Sequence, residues 1–360
     1  MRMSELLRAA VRRGASDLHC SAGAPATMRI HGNLVDLTEE ILSADDTLEL
    51  FEQISDDESK GRLKAVGDVD ISYAVQGLGR FRINVYKQKR SIAIAARMIA
   101  ERIPTLEELG LPATLVDLSR KRRGLVLVTG PTGSGKSTTV AAMVNQINSE
   151  RRCNIITLED PIEYIHTNKQ SLINQREIGV DAESFVGGLR AVLREDPDVI
   201  VVGEMRDLDT MRIAVQAAET GHLVLATLHT PDAAQTVDRI IDVFPSHQQQ
   251  QIRLQLSMTL QGIVSQHLLP RKDGNGRIAA CEILVSTPAV RNLIREGKAH
   301  QLHTVLQTGN KLGMQTMDAS LEALCQMDAV DADDALSLAV DPERLVACKR
   351  KKAGKIGDLS

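Results

Sequence analysis

The residues best suited to chemistry in this chain are gathered in one nine-residue run, GPTGSGKST, from Gly130 to Thr138. Gly130, Gly135, Lys136 and Ser137 satisfy the pattern G-x-x-x-x-G-K-[ST]. Glycines at these places let the backbone curl until successive N–H groups point at phosphate oxygens. The helix that follows adds the partial positive charge of its N-terminus. Gly130, Thr132, Gly133, Ser134, Gly135, Lys136, Ser137 and Thr138 are therefore assigned to a nucleotide. Lys136 is placed to reach the β- and γ-phosphates and Ser137 to set its hydroxyl on Mg²⁺. An apolar run precedes the loop and an amphipathic stretch follows it, which is the order that ATP binding requires.

Hydrolysis also needs acids, one to hold Mg²⁺ and one to orient or deprotonate the attacking water. Acidic and polar residues stand at the ends of three further apolar runs: Glu159, Asp160 and Glu163 after NIITL, Glu204 after VIVVG, and Thr227, His229 and Thr230 in or after HLVLATL. In an open parallel sheet, ligands sit outside the carboxyl ends of the strands, so these residues are expected around one site. Glu204 is the acid next to VIVV, with Gly at 203 where many such enzymes carry the metal-binding Asp, and is assigned to Mg²⁺. Glu163 is assigned as the base, with Glu159 and Asp160 open for both roles. His229 is a candidate to donate a hydrogen bond to the γ-phosphate; taken alone, a strand histidine is more often a packed one, and its place at a strand's carboxyl end brings the two readings level.

The elements that must position these groups are legible as periodicity. LVLVTG, NIITLED, DVIVVGE and HLVLATLHT are short β-branched runs separated by helical stretches such as Ser137 to Ile147, the grammar of a parallel, doubly wound α/β sheet. From about Gln248 the pattern is mostly helical. Ahead of the sheet, residues 1–100 read as a small α/β domain. Ser4 to Arg13 is a helix stopped by Gly14, and Asp68 to Ile99 is an antiparallel meander of period two. A connector over 101–123, with a basic cluster at Arg120–Arg123, leads to the second domain, 124–360. The chain ends in a charged tail that includes Lys349–Lys352.

Composition narrows the function classes. A net charge of −4 and only three Tyr, four Phe and no Trp leave little to hold or stack on nucleic acid, so no nucleic-acid partner is expected. Five scattered cysteines suggest free thiols in a reducing compartment. No apolar run approaches the ~18 residues that span a bilayer, and the N-terminus lacks a signal-peptide core. A cytoplasmic location without membrane insertion is expected.

The residues also resemble the secretion ATPases, and within them the type IV pilus retraction motors. TLEDPIEYIH (157–166) resembles the family's Asp box, DPDVIVVGEMRD (196–207) its Walker B segment and GHLVLATLHT (221–230) its His box. GASDLH (14–19) is similar to the N-terminal box of pilus motors. PAVRNLIRE (288–296) is similar to the motif that marks retraction ATPases, with Val290 in place of the usual Ile, and GMQTMDASL (313–321) also matches that branch. The resemblance implies a PAS-like first domain, a RecA-like P-loop ATPase domain with a helical C-terminal region, and a homohexamer with ATP bound between the two domains. It also implies an inner-membrane platform protein of the pilus machinery as partner, which would make the chain peripheral to that membrane. It supports Glu163 as base, Glu204 at Mg²⁺ and His229 as a phosphate-responsive residue. Arg82 and Arg97 become nucleotide contacts, although Arg80 and Arg82 on an exposed strand face would look the same. An accessory retraction or assembly ATPase is the near alternative, a RecA-like nucleic-acid translocase the distant one.

Residues 288–296 also have a helix of their own to form: Thr287 as cap, Pro288 at the first position and Gly297 as stop. Val290, Leu293 and Ile294 make its apolar stripe and leave Arg291 and Arg295 outside it.

Overall fold

A computed structural model describes residues 2–30, 32–99, 102–343 and 345. The basic tail Lys349–Lys352, Cys348 and the boundary expected between residues 100 and 101 lie outside the described residues. The other four cysteines carry free thiols. The chain divides into two compact units, Met1–Arg102 and a second from Ile103 onward.

The first unit is built on a six-stranded antiparallel sheet in the order β3-β2-β1-β6-β5-β4. The expected meander is β4 (Asp68–Val75), β5 (Gly79–Gln88) and β6 (Ser91–Ile99). On β5, Phe81, Ile83 and Val85 are buried while Arg80, Arg82 and Asn84 face outward, the alternation a half-covered strand requires. The helix Met3–Arg12 covers the buried face with Met3, Leu6 and Leu7, and ends at Gly14, whose φ of 71° suits the left-handed turn. Three strands that the periodicity does not announce complete the sheet: β1 (Asp17–Ser21), β2 (Pro25–Ile30) and β3 (Asn33–Ile41). β3 lies at the sheet edge and is mostly exposed on both faces, so it carries no alternation to read.

The second unit holds a seven-stranded sheet in the order β13-β12-β7-β11-β10-β8-β9. The four expected strands are β7 (Gly124–Thr129), β8 (Asn154–Glu159), β10 (Val199–Val202) and β11 (Leu223–Leu228), all parallel. Their side chains divide by parity between two cores. Leu125, Leu127, Ile200, Val202 and Val224 pack on one face, and Val126, Val128, Val199, Val201 and Leu225 on the other. Both faces are dry, which is why these runs are apolar without alternation. β9 (Leu172–Glu177) adds a polar parallel edge to β8.

Two expectations are corrected. The segment after Ile103 is no free connector: Leu106, Leu111, Leu115 and Leu118 are buried with Val126 and Met143 in the second unit, and Arg120 forms a forked pair with Glu150. The region from about Gln248 opens with the expected helix, Ser246–Thr259, but two strands follow it before the later helices. β12 (Leu260–Pro270) runs parallel to β7, and β13 (Arg277–Val285) pairs with β12 antiparallel. Buried polar residues, Ser265, Gln266 and Glu282, interrupt the apolar pattern of these strands. The helix Pro288–Arg295 forms as its sequence dictates. The Val290 N–H donates to Thr287 Oγ1, Val290 and Ile294 are fully buried, and Arg291 and Arg295 are exposed. Among the described residues, no helix is long and apolar enough to cross a membrane.

Candidate functional site

The loop after β7 has the shape its glycines permit. Gly130, Gly133 and Gly135 have φ of 138°, 78° and 86°, a region that side chains disfavour. A Cβ on Gly130 would also collide with the backbone carbonyl of Gln266. The helix Lys136–Glu150 then starts without a side-chain cap, whereas the helices Phe185–Val192, Leu208–Glu219 and Ala233–Asp242 are capped by Ser184, Asp207 and Asp232. Uncapped N–H groups at a helix start are donors in want of an anion.

Lys136 is 9% exposed, and its Nζ donates to the carbonyls of Gly130 and Pro131 at 2.8 and 2.9 Å. Burial pulls its ammonium below the usual lysine range; the carboxylates of Glu204 and Glu163 act against that. Both acids are therefore within electrostatic reach of the lysine. Lys136, Thr132, Gly133, Ser137, Glu163, Glu204 and His229 line one cavity, which Glu159, Asp160, Arg206 and Thr227 also border. The carboxyl ends of β7, β8, β10 and β11 thus meet where the sequence places them.

Glu204 is held on both oxygens, by Arg206 at 2.8 Å and by His229 Nε2 at 2.9 Å. Burial alone would raise its pKa; the hydrogen bond from Arg206 and the charge of His229 outweigh burial and hold it below the usual glutamate range. At Gly203, where an aspartate is absent, a Cβ would stand 3.0 Å from the Leu158 carbonyl oxygen and 3.2 Å from the Glu159 Cα, so a side chain there would require the backbone of β8 to shift by a few tenths of an ångström. Thr227 Oγ1 donates to the Gly203 carbonyl and fixes that turn.

The three acids after β8 differ in what they touch. Glu159 accepts hydrogen bonds from Thr157 at 2.6 Å and Gln175 at 3.0 Å, and burial raises its pKa. Asp160 and Glu163 are exposed around a cis Asp160–Pro161 bond. Tyr164 ties this loop to the phosphate-loop helix through Thr138 at 2.9 Å. His166 also lines the cavity; its Nδ1 is buried without a hydrogen bond, and burial, then the charge of Lys169, lowers its pKa to about 4.

Not all the assigned residues face this cavity. Gly135 and Thr138 border a separate pocket beside Gln266, and Gly130 and Ser134 are turned toward β12. Arg82 and Arg97 lie opposite each other on β5 and β6 of the first unit, paired with Asp70 at 3.5 Å and Asp17 at 2.8 Å. Gln266, Arg206, Tyr164 and Gln175 escaped the sequence reading. For Gln266 the signal was present, as a polar residue inside the apolar run GIVSQHLL.

The donor set suits Mg²⁺ bound together with phosphate. Hard oxygens from Ser137 and Glu204 border the cavity. Among the described residues, no group of three His, Cys, Asp or Glu could hold a metal unaided. Mg²⁺ takes few protein ligands where substrate phosphates complete its shell.

A buried carboxyl supports the helix that follows His229. Glu282 on β13 is 5% exposed, and its Oε1 accepts the Ala233 N–H at 2.9 Å, at the start of the helix that follows His229. Burial, aided by Asp232 and Asp318, pushes its carboxyl up to about 7 from 4.5. The folded state therefore keeps a proton that the unfolded chain releases, and stability falls as pH rises between those values. Glu282→Gln is expected to abolish that part of the slope and to stabilise the protein above neutrality, by roughly 3 kcal/mol at most. Thermal melts of both proteins from about pH 5 to about pH 8 check this, and identical slopes would contradict it.

Three comparisons bear on this geometry. The family model described as type II/IV secretion system protein matches residues 2–332. The chain is 46% identical over 343 residues to the type IV pilus retractation ATPase PilT of Pseudomonas aeruginosa, covering 95% of this chain and 99% of that one. It is 46% identical over 318 residues to a twitching motility protein of Neisseria gonorrhoeae, covering 88% and 85%. A crystal structure of the pilus retraction motor PilT with bound ADP is similar with a TM-score of 0.90 at 47% identity, covering 95% of this chain and 98% of that one.

Proposed function

The chain belongs to the type II/IV secretion system protein family, and from that premise we propose that it is an ATP-hydrolysing motor for type IV pilus retraction. The observation that carries this reading is the convergence of Lys136, Glu163, Glu204 and His229 on one cavity beside an uncapped helix start. The match to a retraction ATPase over 95% of the chain supports the biological role.

In this reading the N–H groups of the loop 130–138 bind the β- and γ-phosphates of ATP, and Lys136 leaves the Gly130 and Pro131 carbonyls to neutralise their charge. Mg²⁺, when bound, would be held by Ser137 and Glu204 and would offset charge on the leaving phosphates. Glu163 accepts a proton from the water whose oxygen attacks the γ-phosphorus; the bond to the β–γ bridging oxygen breaks, giving ADP and phosphate. His229 donates to the γ-phosphate and, through its 2.9 Å contact with Glu204, links phosphate loss to the β10 and β11 ends. Arg82 and Arg97 contact the nucleotide and stabilise charge that develops on the γ-phosphate.

Six copies form the ring. The work falls on an inner-membrane platform protein, with the chain at the cytoplasmic face and peripheral to that membrane. The exposed Arg291 and Arg295 serve retraction rather than hydrolysis. Nucleic acid has no part in the cycle.

Deleting the gene in its own host should leave surface pili that extend and no longer retract. Imaging of labelled pili measures this. Normal retraction, or loss of pilus assembly, would contradict the role.

A further inference from the structure

A strand that bears none of the reactive groups lies against the phosphate loop. Gln266 of β12 stands one residue beyond the pairing of Ser265 with Thr129, at the level where β7 gives way to the loop. It is 2% exposed, and an amide so enclosed must have its polar atoms answered. Its Nε2 donates to the Ser134 carbonyl at 2.6 Å, and its Oε1 accepts the Thr139 hydroxyl at 2.8 Å. A Cβ on Gly135 would lie 2.8 Å from that Nε2, and one on Gly130 would strike the Gln266 carbonyl. Both ends of the loop are therefore pressed against a single residue.

We propose that Gln266 is a positioning residue for the nucleotide: it fixes the Ser134–Gly135 peptide with its N–H turned toward the phosphates. A trans peptide is planar, so its C=O and N–H point in opposite directions. Gln266 holds the Ser134 carbonyl on the β12 side, and the Gly135 N–H is thereby aimed away from β12. The flanking glycine at 135 has a left-handed backbone and no side chain to resist rotation of this peptide. Without an external hold the donor would be free to turn over. Thr139, one turn into the helix, bonds Oε1 and so settles which end of the amide faces Ser134.

This role rests on the reading of the loop as a nucleotide site, and the test separates the two. Gln266→Met keeps the length and removes both hydrogen bonds. Binding of a fluorescent ADP, steady-state ATP turnover and melting without nucleotide are measured for wild type, Gln266→Met, Thr139→Val and the double variant. The nucleotide dissociation constant and KM should rise about tenfold or more in Gln266→Met, with a smaller loss in kcat. The double variant should bind no more weakly than Gln266→Met alone, because both changes act through one peptide. Wild-type dissociation constant and KM with a lowered Tm would reduce Gln266 to packing and overturn the proposal, as would fully additive losses. Should Gln266→Met not fold, Thr139→Val alone decides: unchanged nucleotide binding overturns the proposal. A wild-type protein that binds no nucleotide would sink the nucleotide reading, and this role with it.

Discussion

Replacing Lys136 with Ala is expected to lower ATP turnover by on the order of a thousandfold, at the upper end of what one preorganised electrostatic contact contributes. The lysine is enclosed beneath the loop, and its ammonium already satisfies two carbonyls there. It is the cation that the loop itself supplies, and it stands within reach of Glu204 and Glu163. Without it, the loop itself meets the negative charge developing on the phosphates with N–H dipoles alone. Phosphate release under saturating Mg·ATP measures the effect, with circular dichroism to show that the fold persists. Turnover above about a tenth of wild type would remove Lys136 from the chemistry.

Glu163→Gln is the second large effect. The amide has the shape of the acid and cannot take a proton from water, so turnover should fall by about a hundredfold to ten-thousandfold, the usual share of a general base. Nucleotide affinity should stay near wild type, because Glu163 is exposed on its own loop after β8 and is not part of the loop 130–138. The variant would then hold ATP without hydrolysing it. Glu159→Gln serves as the comparison: that carboxylate is already engaged by Thr157 and Gln175. If Glu159→Gln stops turnover while Glu163→Gln does not, the base is Glu159. Rapid quench with labelled ATP separates binding from cleavage.

What could be read from the sequence was what is written locally. The loop 130–138 and the four strands of the parallel core are contiguous runs whose residue types follow from their own geometry, and the helix 288–295 carries its cap, proline and stop within residues 287–297. Glu204, Glu163 and His229 could be placed because a parallel sheet brings the carboxyl ends of its strands to one edge. What escaped depends on partners distant in sequence. β12 and β13 contain Gln266 and Glu282, polar residues tolerated in a dry core because Ser134, Thr139 and Ala233 answer them. β9 and β3 are edge strands with little apolar surface to betray them. The pairing of Glu204 with both Arg206 and His229 joins strand ends that no spacing rule connects.

One pocket is expected to do the work of both nucleotide capture and cleavage. A structure of the oligomer with a non-hydrolysable ATP analogue and Mg²⁺ tests it most directly. The expected density shows the β- and γ-phosphates inside the loop 130–138 on Lys136, with Glu204 and Ser137 at the metal. Glu163 and His229 should flank the γ-phosphate, with Arg82 and Arg97 in contact with the nucleotide. Nucleotide bound elsewhere, or Glu163 and Glu204 turned away from the γ-phosphate, would contradict the account.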